Sequence, residues 1–171
     1  MPDLALSECP SAPYFFLTGK NKGNSVECMM FYQRSLLLWM LNQANMRLTP
    51  VSTPNKLHKH LAWIMRRGEF VKTNVLCRFC GKDKISYFSA RGCYSYGYSV
   101  SLHYTSCPAC FSKLEGETDT KCVLLPFRFS SISRFGRRAD QKQIGDFFKG
   151  VFFPGVQRLD AQKVFEFFRG A

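Results

Sequence analysis

The hydrophobic pattern along this 171-residue chain changes period several times, and each change predicts an element. Residues 27–46 contain no Gly or Pro, are rich in strong helix formers, and place Met30, Leu37, Leu38 and Leu41 on one broad face. That predicts a first helix, apolar nearly all round, buried in the core or against a partner subunit. A second helix is expected over 54–67, with Thr53 as N-cap, Pro54 at its first position and Gly68 closing its end. At steps of about 100° per residue, Leu57, Leu61, Ile64 and Met65 fall on one face. The opposite face gathers Lys56, Lys59, His60, Arg66 and Arg67 around Trp63.

A period of two takes over beyond Gly68. Residues 70–76 and 85–88 read as short strands, with Arg91-Gly92 as a turn. Tyr94, Tyr96, Tyr98, Val100, Leu102 and Tyr104 then alternate with small polar residues, which predicts a longer strand. Its tyrosines form either the buried face of an antiparallel ribbon or a stacking platform for unpaired bases. Residues 122–133 return to strand character, with Pro126 implying an edge or a bulge. Residues 1–26 are expected to be an irregular arm, and 112–121 a loop carrying Glu115, Glu117 and Asp119.

The last thirty residues repeat themselves at an offset of twenty. Asp140-x3-Ile144-x-Asp146-Phe147-Phe148-Lys149-Gly150 matches Asp160-x3-Val164-x-Glu166-Phe167-Phe168-Arg169-Gly170 without gaps. Each copy reads as a short helix with an Asp N-cap, a cation in the last turn and a terminal Gly. Together they predict a helical hairpin whose Phe pairs pack on the core or on a neighbouring subunit.

Two hooks dominate the chemistry. Cys77-Arg78-Phe79-Cys80-Gly81 and Cys107-Pro108-Ala109-Cys110 stand 26 residues apart, at the two ends of the expected ribbon. Paired C-x-x-C hooks offer four thiolates to one tetrahedral ion, so Cys77, Cys80, Cys107 and Cys110 are the expected ligands of a structural Zn2+, with an iron–sulfur cluster as the rival. His103 and Cys93 are read as bystanders or neighbours of the ligands. Cys9, Cys28 and Cys122 show no pairing pattern and read as small buried hydrophobes.

Charge narrows the partner. The 24 Lys and Arg against 12 Asp and Glu give a net charge of +12, which favours an anionic partner, nucleic acid above all, with an acidic protein as the alternative. Phosphate contacts are expected from Lys56, Lys59, His60, Arg66 and Arg67 on the second helix. A second set comes from Arg128 and the basic loop holding Arg134, Arg137 and Arg138. Trp63 is either a stacking or wedging group for bases or a residue packed against the metal module. Glycine-rich nucleotide loops, nucleophile elbows and zinc-protease or deaminase motifs are missing, and the carboxylates are thinly spread. No enzyme is therefore expected, a metal-dependent nuclease being the remaining catalytic alternative, and no small-molecule substrate. The start of the chain carries Asp3, Glu8 and two prolines rather than a basic, then apolar leader, and no uncharged run is long enough for a membrane span. A reducing, cytoplasmic location without membrane contact is expected.

These readings define an α+β fold: a small antiparallel zinc-ribbon-like β module flanked by helices, with a short C-terminal helical hairpin. The expected parts are 1–68 (arm and two helices), 69–111 (four-cysteine zinc module), 112–139 (acidic loop, strand, basic loop) and 140–171 (hairpin), all in one unit. The two hooks resemble the zinc-ribbon and treble-clef knuckles of many nucleic-acid-binding proteins, over roughly residues 70–111. The C-x-x-C-G hook, the second C-x-x-C about thirty residues on, the basic body and the absence of a catalytic motif are also similar to one CRISPR family. It is the small zinc-containing, large-subunit-like protein of minimal type IV effector complexes. The long segment ahead of the first hook departs from that family. The resemblance implies a non-catalytic, DNA- or RNA-binding subunit of an RNA-guided nucleoprotein complex, inspecting a protospacer-adjacent duplex and gripping the guide's 5′ end. A zinc-containing adaptor that docks on an acidic protein is the alternative.

Overall fold

The first expected helix is in fact two. In the computed structural model, which describes residues 9–47, 55–91, 101–114, 122–135 and 137–171, α1 (Val26–Tyr32) ends at Gln33 and α2 (Arg34–Arg47) starts immediately after it. Gln33 leaves helical geometry (φ −140°, ψ 33°), although its N–H still reaches the Met29 carbonyl at 2.7 Å. Ser25 begins α1 by accepting from the Cys28 N–H. The break turns Arg34 inward, where it is buried and donates to Glu69 (3.1 Å) and Ser133 (2.7 Å).

The second helix, α3, runs Lys56–Arg67, with Asn55 rather than Thr53 as its N-cap; the Asn55 side chain accepts from the His58 N–H at 2.8 Å. Thr53 and Pro54 lie outside the described residues. Gly68 ends α3 as expected.

The chain then makes a three-stranded antiparallel sheet in the order β2-β1-β3, from β1 (Tyr87–Arg91), β2 (Ser101–Ser106) and β3 (Cys122–Pro126). Residues 70–76 are not a strand; only the isolated bridge between Leu76 and Lys84 forms there. The expected strict alternation along 94–105 is interrupted where it can be followed. Ser89 pairs with Tyr104 but Ala90 with Leu102, so His103 is an extra residue in a bulge. The tyrosine row from Tyr94 to Tyr98, with Cys93, lies outside the described residues, as do the acidic residues Glu115, Glu117 and Asp119. A short helix, α4 (Pro108–Leu114), follows β2. Pro126 closes edge strand β3, as its missing N–H requires. The rest of the expected strand is instead a 3-10 helix, Phe129–Arg134.

The C-terminal helices are α5 (Arg138–Phe152) and α6 (Ala161–Gly170). Asp160 caps α6 as expected, accepting from the Lys163 N–H. Asp140 does not cap α5, which starts two residues earlier at Arg138 after Arg137 and runs on past Gly150. The repeat survives in burial: Ile144 and Val164 are buried, as are Phe148 and Phe168, while Asp146 and Glu166 are exposed. Both helices pack on α1.

Aromatic rings join these layers. Phe129 meets Phe31 of α1 (4.9 Å, edge-on), Phe148 of α5 (5.4 Å) and Phe168 of α6 (5.1 Å). Phe88 of β1 reaches Phe148 at 5.5 Å and so ties the sheet to the same cluster. The backbones approach closely at Gly145 of α5, where an added Cβ would stand 1.8 Å from the Phe31 carbonyl oxygen.

Gly145→Ala is therefore expected to cost about 3 kcal/mol or more, or to prevent folding, because backbone rather than a movable side chain blocks the methyl group. Gly150→Ala in the same helix meets nothing within 4 Å and is expected to stabilise by about 0.5–1 kcal/mol. Urea unfolding of the two variants checks the pair, and equal effects would refute the close α1–α5 approach.

Candidate metal centre and cationic clefts

The first hook is a tight turn held by backbone. Leu76 bridges Lys84, Cys77 N–H donates to the Asp83 carbonyl (2.7 Å), and Gly81 N–H donates back to Cys77 (2.8 Å). Gly81 sits at φ +64°, a conformation that a residue with a Cβ resists. The second hook is not a matching turn. Cys107 follows β2 directly, Pro108 opens α4, and Cys110 lies in that helix's first turn. Tyr87 of β1 stacks on Phe111 of α4 at 4.0 Å and holds the helix against the sheet.

The four sulfurs of Cys77, Cys80, Cys107 and Cys110 lie within 4.8 Å of one another. A metal–thiolate bond of about 2.3 Å in a tetrahedron requires neighbouring sulfurs about 3.8 Å apart, and Cys80 and Cys107 are 3.8 Å apart. The four cysteines can hold a metal ion. Burial alone would raise the Cys77 thiol, but backbone N–H groups of Cys80, Cys107 and Phe79 outweigh it and hold it at about 6. Backbone N–H groups of Asp83 and Lys82 lower Cys80. Burial, and then the other three sulfurs, push Cys110 up to about 12. The pocket thus already stabilises negative sulfur on the first hook, and crowding of the sulfurs opposes further ionisation until a cation is present. Four thiolates fill a tetrahedral shell, which leaves a substrate no coordination position. Cys28 is half-buried beside the core, but Cys9 is exposed on the irregular arm, contrary to expectation.

The expected cationic face of α3 divides. Lys56, Lys59 and Arg66 are exposed. His60 is buried, with Nε2 2.5 Å from a carboxylate oxygen of the buried Glu27 in α1. Trp63 is 4% exposed and packs on Phe165 of α6 (5.4 Å) and on His60. Neither residue presents a surface to a ligand, because α1 and α6 cover that side of α3, and Trp63 packs on the C-terminal helix rather than on the metal module. Arg67 turns to α6, donating to the backbone carbonyls of Arg169 and Ala171.

Arg128, Arg134, Arg137 and Arg138 are exposed. Two of them, Arg128 and Arg138, line clefts. Lys72, Lys84 and Arg128 line one of about 490 Å³, together with Tyr87, Phe127 and Glu69. Arg138 and Lys142 line another of about 480 Å³ beside Tyr32 and Gln33. No helix among the described residues is long and apolar enough to cross a membrane. No protein-family model, curated protein or solved structure matches the chain, so the functional argument rests on its own residues.

Two outcomes are expected. The purified protein carries one metal ion per chain, Cys77→Ser loses it, and Cys9→Ser keeps it, as native mass spectrometry would show; retention by Cys77→Ser would refute the site. Trp63→Ala costs about 3–5 kcal/mol in urea unfolding, the range for a large core aromatic. A neutral result would remove Trp63 from the core.

Proposed function

We propose that the protein is a non-catalytic, zinc-stabilised module that binds nucleic acid within a larger nucleoprotein assembly. The observation that carries this reading is the division of labour between charges. Among the described residues, Glu27 is engaged by His60, Glu69 by Arg34, Asp146 by Lys142, and Asp160 at the start of α6. Cations other than Lys142 line the two clefts and the surface of α3. Arg128 precedes a six-residue 3-10 helix, about 12 Å long, whose last residue is Arg134, and Arg137 and Arg138 follow it. One run of chain thus carries cations from the first cleft to the second, a spacing that suits successive phosphates of a polymer better than one small anion.

Zinc fits four thiolates around one ion better than a multi-iron cluster, whose ligating sulfurs spread around several irons. A knuckle, an antiparallel strand pair and a helix whose first turn brings the last two cysteines follow the order of a treble clef rather than of a ribbon with two knuckles. An RNA-guided effector is one setting for such a subunit, and co-purified guide RNA would be its mark. A protein-docking role is the second reading, favoured by Val75, Leu76 and Phe79, exposed apolar residues around the first hook.

Fluorescence anisotropy with DNA and RNA at several salt concentrations tests the reading. Affinity is expected to fall steeply with salt. Arg137→Ala with Arg138→Ala is expected to reduce the slope of log K against log salt by about 0.7–0.9 for each phosphate that the variant no longer neutralises. Salt-sensitive binding to an acidic protein, with none to any nucleic acid, would replace this reading by the second.

A further inference from the structure

The first cleft has more than charge. It opens where three segments converge: the stretch leaving α3, the return strand of the first hook, and the end of β3. Lys72, Lys84 and Arg128 supply the cations, the half-buried Tyr87 an aromatic ring, and the buried Thr73 a hydroxyl. Glu69 is the one acid in the cleft, and it is already compensated by the Arg34 guanidinium (3.1 Å) and by the Ser130 N–H and hydroxyl (3.1 and 2.6 Å). Lys84 gives one proton to Asn74 at 2.8 Å, and an ammonium has two more to give. Arg128 offers a planar fork suited to two phosphate oxygens.

The tyrosine ring is fixed in place. Phe111 lies outside the cleft and stacks on Tyr87 at 4.0 Å, so that ring keeps its orientation when a ligand arrives. A volume of about 490 Å³ is within the usual range of about 300–1,000 Å³ for small-ligand sites. Cations beside a fixed aromatic ring match a nucleoside phosphate, anionic at one end and a flat apolar ring at the other. A base inside a duplex is stacked on both faces and cannot enter.

We propose that this cleft holds one nucleoside phosphate unit of a single-stranded nucleic acid, its phosphate on Lys72 and Arg128 and its base against the ring of Tyr87. The proposal rests on the nucleic-acid reading and adds to it a strand form and a place. It predicts that the metal-loaded protein prefers a short labelled single strand to the duplex of the same sequence. It predicts too that a mixture of free AMP and UMP displaces that strand, whereas inorganic phosphate at the same concentration does not.

The test is the anisotropy titration with these competitors, run on wild type and on Lys72→Ala with Arg128→Ala. Both residues are exposed, so unfolding and metal content should match wild type. The double variant is expected to bind the single strand about tenfold more weakly and to lose the preference over duplex. Wild-type affinity in that variant, with loss in Arg137→Ala/Arg138→Ala, would overturn the cleft and leave the general reading standing. Displacement by inorganic phosphate as effective as by nucleotides would overturn the base contact. Displacement by free nucleotides, with no oligonucleotide bound at all, would replace the polymer by a free nucleotide. No binding of oligonucleotide or nucleotide by wild type would overturn both proposals.

Discussion

The junction between Gly68-Glu69 and Phe129-Ser130 is the constraint on which the rest depends. Here the chain leaves the helices for the metal-binding and sheet region, and here it returns. The Phe129 N–H donates to the Gly68 carbonyl at 3.0 Å, and Glu69 takes the next N–H and the Ser130 hydroxyl. Arg34, buried and otherwise costly in the interior, is tolerable because Glu69 and Ser133 answer its charge and two of its nitrogens. A residue larger than Gly at position 68 has little room, since an added Cβ would lie 3.0 Å from the Phe129 Cβ and 2.8 Å from the end of Met30. The excursion between these points is thus tied at both ends to the helical body.

Phe129 also begins the aromatic cluster, so the same few residues fix both the junction and the core. Its ring touches α1, α5 and α6, and its neighbour Phe127 stacks on α5 and forms part of the first cleft. Burial of large rings supplies the non-directional stabilisation. The Gly145 contact supplies the register, because there α5 approaches the α1 backbone more closely than a side chain would allow.

Features written in local spacing were legible in the sequence. The C-x-x-C hooks, Asp160 as a cap, Gly68 as a stop and the edge position of Pro126 each follow from a few adjacent residues. Features that depend on distant partners were not. His60 and Trp63 sit on the polar side of α3 by angle, but Glu27 lies 33 residues away and Phe165 more than a hundred, and together they turn that side inward. Arg67 looked like a phosphate ligand until α6 brought two carbonyls to it across 104 residues. The break at Gln33 carries no Gly or Pro; it is set by tertiary contacts, among them the demand of Glu69 for Arg34. Lys72 and Lys84 are individually ordinary, and only the bridge between Leu76 and Lys84 and the approach of Arg128 make them neighbours.

That last bridge links the two candidate sites. Lys84 is the residue opposite Leu76, one position before Cys77, so the turn that presents the first two sulfurs also places a cation on the cleft. Tyr87 stands on the cleft wall with its ring backed by Phe111, one residue after Cys110. An ion held by the four cysteines would therefore close both supports of the cleft without touching its ligand: one knuckle positions the lysine, and the opening turn of α4 positions the ring behind the tyrosine. Ordering these loops in advance would remove an entropic cost that the proposed binding otherwise carries. On that proposal a metal with a filled shell would act on recognition through the geometry of the residues beside its ligands.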